Sequence, residues 1–429
     1  MRDEFRLPEI FRLFTNVASL ASLQAFNFGL TLVVLPWLTQ ALGPAVFGEV
    51  VFALLLVNYG SWLTNWGFYL GTTQRISANR HDVEMTTDLF NTSWMGQILL
   101  TVLVLIVYIL IVCVIPGFRS HLAIYLVGIT MIIGNTLQPL WFLNGYERIK
   151  LATLIQIGSK LFALPFIFFL IAVPADAWIY PASLGAGMIL MGVFTLVVIF
   201  GQMNVKLALP SLPRIIDQLR KNFAPFISSI SASLATTTVP AFLGSTGAVT
   251  QLGLYSLADR ARSSTIMILA PISHALFPYM CKLFANDRSR AQETLWIFGV
   301  FSFLLALVMS ILLYVYAVEI LNFLGSEEFK DSIDILRILA FSPVFYVMAS
   351  FAIHQVLIPN AQYKLHRNIS LAQLGLIVLV AWPAVTQYGA LGGATAIVVV
   401  DILICGVFWF CILSKGLMRM ERSLEESES

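Results

Sequence analysis

Twelve stretches of about twenty mostly apolar residues, joined by short polar loops, constrain this chain more than any other feature. They fall at about 14–38, 46–70, 89–115, 121–143, 151–173, 178–201, 223–243, 252–281, 294–316, 335–358, 369–386 and 390–413. In hydrocarbon every backbone polar group must be satisfied within the chain, so such stretches fold as helices. Charged residues make up 11% of the chain, against about 25% in a soluble domain. The longest loops, around 202–222 and 317–334, are too small to hold a soluble domain. The pattern predicts an all-α integral membrane protein with twelve transmembrane helices. An amphipathic segment at 1–13 precedes an N-terminal six-helix bundle at 14–201. A linker at 202–222 leads to a C-terminal six-helix bundle at 223–414 and a polar tail at 415–429.

Basic residues give the orientation. Nineteen of the 25 lysines and arginines fall on the side that holds the N-terminus; Arg119 and Lys330 alone fall on the other. Positive loops stay cytoplasmic, so both termini are expected there, with residues Leu7–Phe14 lying along the inner membrane face. The alternation also supports the span count, because one missed helix would scramble it. Cys113, Cys281, Cys405 and Cys411 all lie in or at the ends of apolar segments, which implies no disulfide framework. No removable signal peptide is read.

The two halves echo each other. Pro36 and Gly43 lie seven residues apart in the link between the first two spans, and Pro240 and Gly247 repeat that spacing between the seventh and eighth. Both links fall on the outer side, so the repeat axis would run along the membrane normal.

Polar residues line one face of the helices beside those links: Asn16, Ser19, Gln24, Asn27 and Thr31; Asn58, Ser61, Asn65 and Tyr69; Ser228, Ser229, Ser231 and Ser233; Ser256, Ser263 and Ser264. Single small polar residues glue membrane helices together, whereas stripes of this length favour a hydrated cavity. Four cations are stranded within spans. Arg260 and Arg262 lie near mid-membrane and, two residues apart, cannot face one cavity together. Asp259, one turn before Arg262, suits it as a structural partner, which leaves Arg260 on the serine face for an anionic cargo. Lys160 either binds an anion or snorkels. Arg337, near a helix end, snorkels. Asp401 is a candidate site for a coupling ion or a static counter-charge. Glu49, Asp176 and Glu319, near helix ends, are expected to be solvated.

No Gly-rich loop ending in Gly-Lys-Ser/Thr is present, which excludes the P-loop route to nucleotide hydrolysis. The five histidines show no metal-ligand spacing, and no cofactor or nucleic-acid partner is expected. A membrane glycosyltransferase or polymerase would need a catalytic platform larger than any outer loop here. Two pseudo-repeated halves point to a transporter.

Four motifs then carry a resemblance. Gln138-Pro-Leu-Trp-Phe-Leu-Asn-Gly-Tyr-Glu-Arg-Ile-Lys150 resembles the Pro-x-Trp-x-x-x-Gly-x-Glu segment of Wzx-type polysaccharide repeat-unit flippases. Leu42-Gly-Pro-Ala-Val-Phe-Gly48 is similar to their Leu-Gly-x-x-x-(Phe/Tyr)-Gly turn. Gly67-Phe68 with Gln74-Arg75-Ile76-Ser77 resembles the inner end of their second helix. Gly253-Leu-Tyr-Ser-Leu-Ala-Asp-Arg260 with Ala275-Leu-Phe-Pro278 resembles their eighth. The likeness covers about residues 15–290. Gln355-Val-Leu-Ile-Pro-Asn360 departs from the family where a glycine is usual.

The resemblance implies the multidrug/oligosaccharidyl-lipid/polysaccharide exporter superfamily, with two six-helix bundles around a central cavity and alternating access. The implied cargo is an undecaprenyl-pyrophosphate-linked oligosaccharide, moved across a bacterial inner membrane for O-antigen or related polysaccharide assembly. A polymerase and a chain-length regulator would be its partners besides the bilayer. Arg260 and Lys160 would meet the pyrophosphate, because a guanidinium matches phosphate oxygens. Ser256, Ser263, Ser264, Asn27, Gln24, Asn58, Asn65 and Trp141 would meet sugars, and Trp37 and Trp62 are further candidates. Arg75, Arg148 and Lys150 would draw in the headgroup. The rival readings are a multidrug or organic-cation antiporter, which should line its cavity with carboxylates, and a lipid II flippase, which usually has more than twelve helices.

Overall fold

The computed structural model describes residues 7–203, 205–286 and 288–415. The first six residues and the tail beyond 415 lie outside them, as do the side chains of the Leu7–Phe14 stretch. The described residues are helical almost throughout, with no strand among them.

Helix α1 (Leu7–Asn65) is broken at Gly43 and followed by α2 (Phe68–Ala78). Then come α3 (Val83–Val114), α4 (Leu122–Leu137), the short α5 (Leu140–Gly145), α6 (Ile149–Leu170) and α7 (Ile179–Gln202). After these lie α8 (Leu212–Ser245), α9 (Val249–Asn286), α10 (Arg288–Val315) and α11 (Ala317–Leu324). The chain ends with α12 (Ser332–Leu339), α13 (Ser342–Phe351), a π-helical turn (Ala352–Leu357) and α14 (Tyr363–Ser414).

All twelve expected spans fall on helix. By length and composition, eight described stretches can cross a membrane, or nine if the bent α8 counts as one. The helix that carries the expected eighth, α9, is not among them; Tyr363–Ser414 holds two successive expected spans, and Phe26–Ala78 holds the second with the latter half of the first. Their internal breaks sit at Gly43 (φ 66°, ψ 171°) and Gly389 (φ 58°, ψ −133°), backbone that a Cβ disfavours strongly. The chain reverses there. Asn27 meets Lys160 midway along α6, Trp37 donates to Ile171 O just past its end at 3.1 Å, and Tyr69 accepts from Asn144 just before its start at 2.9 Å. Gly247, the repeat partner of Gly43, also has positive φ, 76°.

The chain divides into two compact units, Met1–Ser233 and Leu234–Ser429. In the first, α7 lies against α4 and α6 through small residues: an added Cβ at Gly185 would strike Thr130, at Gly187 Ser159, and at Gly192 Leu137. Such close backbone approach drives helix association in lipid. One end of this unit is an aromatic core of Phe68, Phe90, Trp94, Trp141 and Phe142. In the second unit α9, α10 and α13 pack around Leu269, Ala306, Val344 and Val347. Outward faces are apolar: Leu99, Val102, Leu103 and Ile106 on α3, and Trp296, Val300, Leu304 and Ile311 on α10, are exposed at helical spacing. Lipid is the solvent that suits them.

Candidate functional site

The charged groups of α9 divide as their spacing predicts. Arg262 turns into its unit. Its Nε and Nη2 donate to Asp259 Oδ1 at 2.8 and 2.7 Å, and its Nη1 donates to Ser342 Oγ at 2.9 Å. Ser342 is fully buried and passes its own proton donor to Asp401 Oδ2 at 2.6 Å. One guanidinium therefore holds two carboxylates, one directly and one through a hydroxyl, across α9, α13 and α14. The charges are desolvated but satisfied, the condition under which an intramembrane ionic group is tolerated.

Arg260 does the opposite. It is exposed and has no partner among the described residues. Ser263 beside it is exposed and Ser264 half-buried, so this face of α9 is polar and cationic. Ser256, one turn earlier, is buried with its Oγ unpaired. Its place in the expected cargo-facing stripe is corrected: packing has drawn it inside the unit. Arg337 ion-pairs with Asp334 at 3.6 Å and lies 5.9 Å from the Tyr314 ring centre, at the start of its span.

In the first unit Lys160 donates to Asn27 Oδ1, which joins two residues expected to line one cavity. Gln24 and Asn58 are exposed. Asn65 lines a concavity of about 270 Å³ with Trp62, Gly67, Tyr69, Leu70, Phe226, Ser229, Ile230 and Ser233. This pocket unites the polar stripes of the second and seventh spans. Asn144 donates to the Tyr69 hydroxyl at its rim, and Trp66 stacks on Phe226 behind it, with ring centres 4.4 Å apart. Phe226 and Ile230 carry no sequence signal of their own, because apolar residues in an apolar span look alike.

Three further expectations are corrected. Trp141 is 1% exposed, its ring among Phe68, Phe90 and Phe142 and its Nε1 donating to Gln97 at 3.1 Å. It is core, with no face open to a sugar. Arg75 is tied down, donating to Gly71 O at 3.2 Å and Gln218 Oε1 at 3.0 Å. Of the trio expected to draw in a headgroup, only Arg148 and Lys150 are exposed. Glu49 is buried rather than solvated, and takes a hydrogen bond from the Tyr125 hydroxyl. Gln355, where the family pattern breaks, is buried and donates to Ser273 O at 2.7 Å.

Solved structures share this architecture. The lipid II flippase MurJ, in an inward closed conformation, matches 94% of this chain and 89% of its own with a TM-score of 0.73 at 12% identity. An inward-facing multidrug resistance MATE family transporter of the MOP superfamily matches 93% of this chain and 96% of its own, TM-score 0.66, at 13% identity. The fold is that of the MOP superfamily of membrane transporters. Within it, the family of polysaccharide biosynthesis proteins matches residues 13–284, and the chain belongs to that family. A relative from Escherichia coli (strain K12), named "Putative O-antigen transporter", is 24% identical over 94% of this chain and 97% of its own. One of the same name from Shigella dysenteriae is 22% identical over 91% and 97%.

Proposed function

We propose that the protein is a flippase. It carries undecaprenyl-pyrophosphate-linked oligosaccharide repeat units from the cytoplasmic to the periplasmic leaflet of a bacterial inner membrane, for O-antigen or related surface polysaccharide assembly. Both termini are cytoplasmic, and two six-helix bundles, 14–201 and 223–414, alternate access to a central cavity. A polymerase and a chain-length regulator receive the product. The observation that carries this reading is Arg260, an exposed guanidinium with no partner among the described residues, on the helix read from the sequence as the eighth span of a chain of this family. Desolvated guanidinium is costly, and a pyrophosphate is the kind of anion it binds bidentately. Lys160 with Asn27 gives a second polar position, and Arg148 and Lys150 meet the headgroup at the inner face. The pocket of Trp62, Asn65, Tyr69 and Ser229 offers ring faces and hydroxyls of the kind sugars use.

The cation-antiporter reading needs free deep carboxylates. Asp259 and Asp401 are both engaged by the Arg262 network, which counts against it. Asp401 remains the candidate coupling residue of that unit, since protonating it would release the Ser342 bridge. The test is complementation of surface-polysaccharide assembly in a strain lacking its own flippase, at matched protein level. Arg260→Ala should abolish polymer and Arg260→Lys retain part of it. Normal polymer with Arg260→Ala would overturn the proposal.

A further inference from the structure

We propose that the concavity beside Trp62 is a subsite for a single sugar ring, with Asn144 as the residue that aims a donor into it. The chain breaks between α1 and α2 at Trp66 (φ 40°) and Gly67 (φ 72°). A Cβ on Gly67 would come within 2.5 Å of Phe226 N and 2.7 Å of Asn222 O, so glycine lets α8 seat its backbone against the break. The notch that results holds Trp62 and Asn65 from one side of the break, Tyr69 from the other, and Phe226 and Ser229 from α8. At about 270 Å³ it is just under the roughly 300 Å³ at which pockets for drug-sized ligands begin, which is room for one ring and not for an oligosaccharide. All of these residues belong to the first unit.

What sets this notch apart is polar capacity left unspent on an aromatic surface. Trp66, behind it, is fully used: its Nε1 donates to Leu219 O at 3.0 Å and its ring lies on Phe226. Trp62, one turn earlier, is not. Its ring is steadied by Tyr59, with centres 5.4 Å apart, while its Nε1–H has no acceptor among the described residues. The Asn65 side-chain amide, three residues on, has no partner among them either. The Tyr69 hydroxyl oxygen accepts from Asn144 Nδ2 at 2.9 Å, which uses a lone pair and leaves the O–H proton to donate. Asn144 follows Trp141, Phe142 and Leu143, all buried, so the core fixes where its amide stands. A pyranose presents hydroxyls around its rim and C–H bonds on its faces. The indole takes a C–H face, and the three polar groups take rim hydroxyls. A prenyl chain would leave those three groups unpaired. The inference rests on the flippase reading, in which sugars are cargo.

The experiment is saturation-transfer NMR on the purified full-length protein in lipid nanodiscs, titrated with the methyl glycosides of a hexose, a deoxyhexose and an acetamidohexose. At least one glycoside should receive saturation on its ring protons, and Trp62→Leu should abolish it. Tyr69→Phe should weaken the apparent Kd about threefold to tenfold, the worth of one neutral hydrogen bond. Asn144→Asp keeps the size of the side chain but accepts where the amide donates. The Tyr69 proton then turns away from the notch, and binding should fall as it does in Tyr69→Phe, with the unfolding midpoint unchanged. An unchanged Kd in Asn144→Asp would overturn the role given to Asn144. Transfer to none of the three glycosides, or transfer unchanged in Trp62→Leu, would overturn the subsite. The Arg260 experiment reads the anionic end of the cargo and this one only the sugar, so either can fail while the other stands.

Discussion

The two units bury their carboxylates in opposite ways. In the second, Asp259 and Asp401 are tied to a guanidinium that stays charged at any physiological pH. In the first, Glu49 accepts from a phenol and lies 3.7 Å from an imidazole, neither of them a permanent cation. The difference teaches what to look for in an apolar chain. An acid with a permanent counter-charge is part of an ionic framework, whereas an acid held by a hydroxyl donor is fixed by hydrogen bonding alone.

Mutations that remove one partner at a time should break the comparison or sharpen it, most simply through unfolding of the purified protein. The largest loss is expected for Arg262→Ala, which leaves two half-buried carboxylates uncompensated; breaking a fully buried pair costs about 3–5 kcal/mol, and partial exposure puts this cluster below that. Adding Asp259→Asn and Asp401→Asn to Arg262→Met should recover most of that loss, and no recovery would mean that the charges are not what Arg262 serves. Next come Gly43→Ala and Gly389→Ala, one reversal in each unit. Each forces a side chain into backbone that disfavours it, at about 1–3 kcal/mol, so the two should fall together. Glu49→Gln should cost less than about 1 kcal/mol, because the amide keeps an acceptor for Tyr125 and strands no charge. A loss as large as that of Arg262→Ala would show that Glu49 is framework after all. Arg260→Ala should leave the unfolding midpoint unchanged while abolishing polymer in cells, since the side chain is exposed.

What could be read from the chain follows the reach of the interactions. The Asp259–Arg262 pair was legible because three residues along a helix place two side chains on one face. The divergence of Arg260 from Arg262 was legible for the same reason. Gly43 and Gly247 announced their turns through a shared seven-residue spacing after proline, and both take positive φ. Gly389 falls in the three-residue link expected between the spans 369–386 and 390–413, so hydropathy marked that break without a shared motif. The errors are non-local. Trp141 sits in a recognisable motif, yet Phe68, Phe90 and Gln97 come from elsewhere in the chain to bury it. Arg75 lies in another, and Gln218, 143 residues away, holds it in place.

By itself, then, the sequence determined that the chain is helical and membrane-embedded, where its spans lie, and which close neighbours along one helix pair. Hydropathy, and spacings of three, four or seven residues, are properties of short segments. Only the tertiary structure decided that Ser342 joins Arg262 to Asp401, that Lys160 meets Asn27, and that Glu49 is closed in beside His121. Those contacts bridge 59 to 133 residues of chain. Burial and partnership at such range depend on which helix faces pack together, and one polar residue in an apolar span looks much like another until they do.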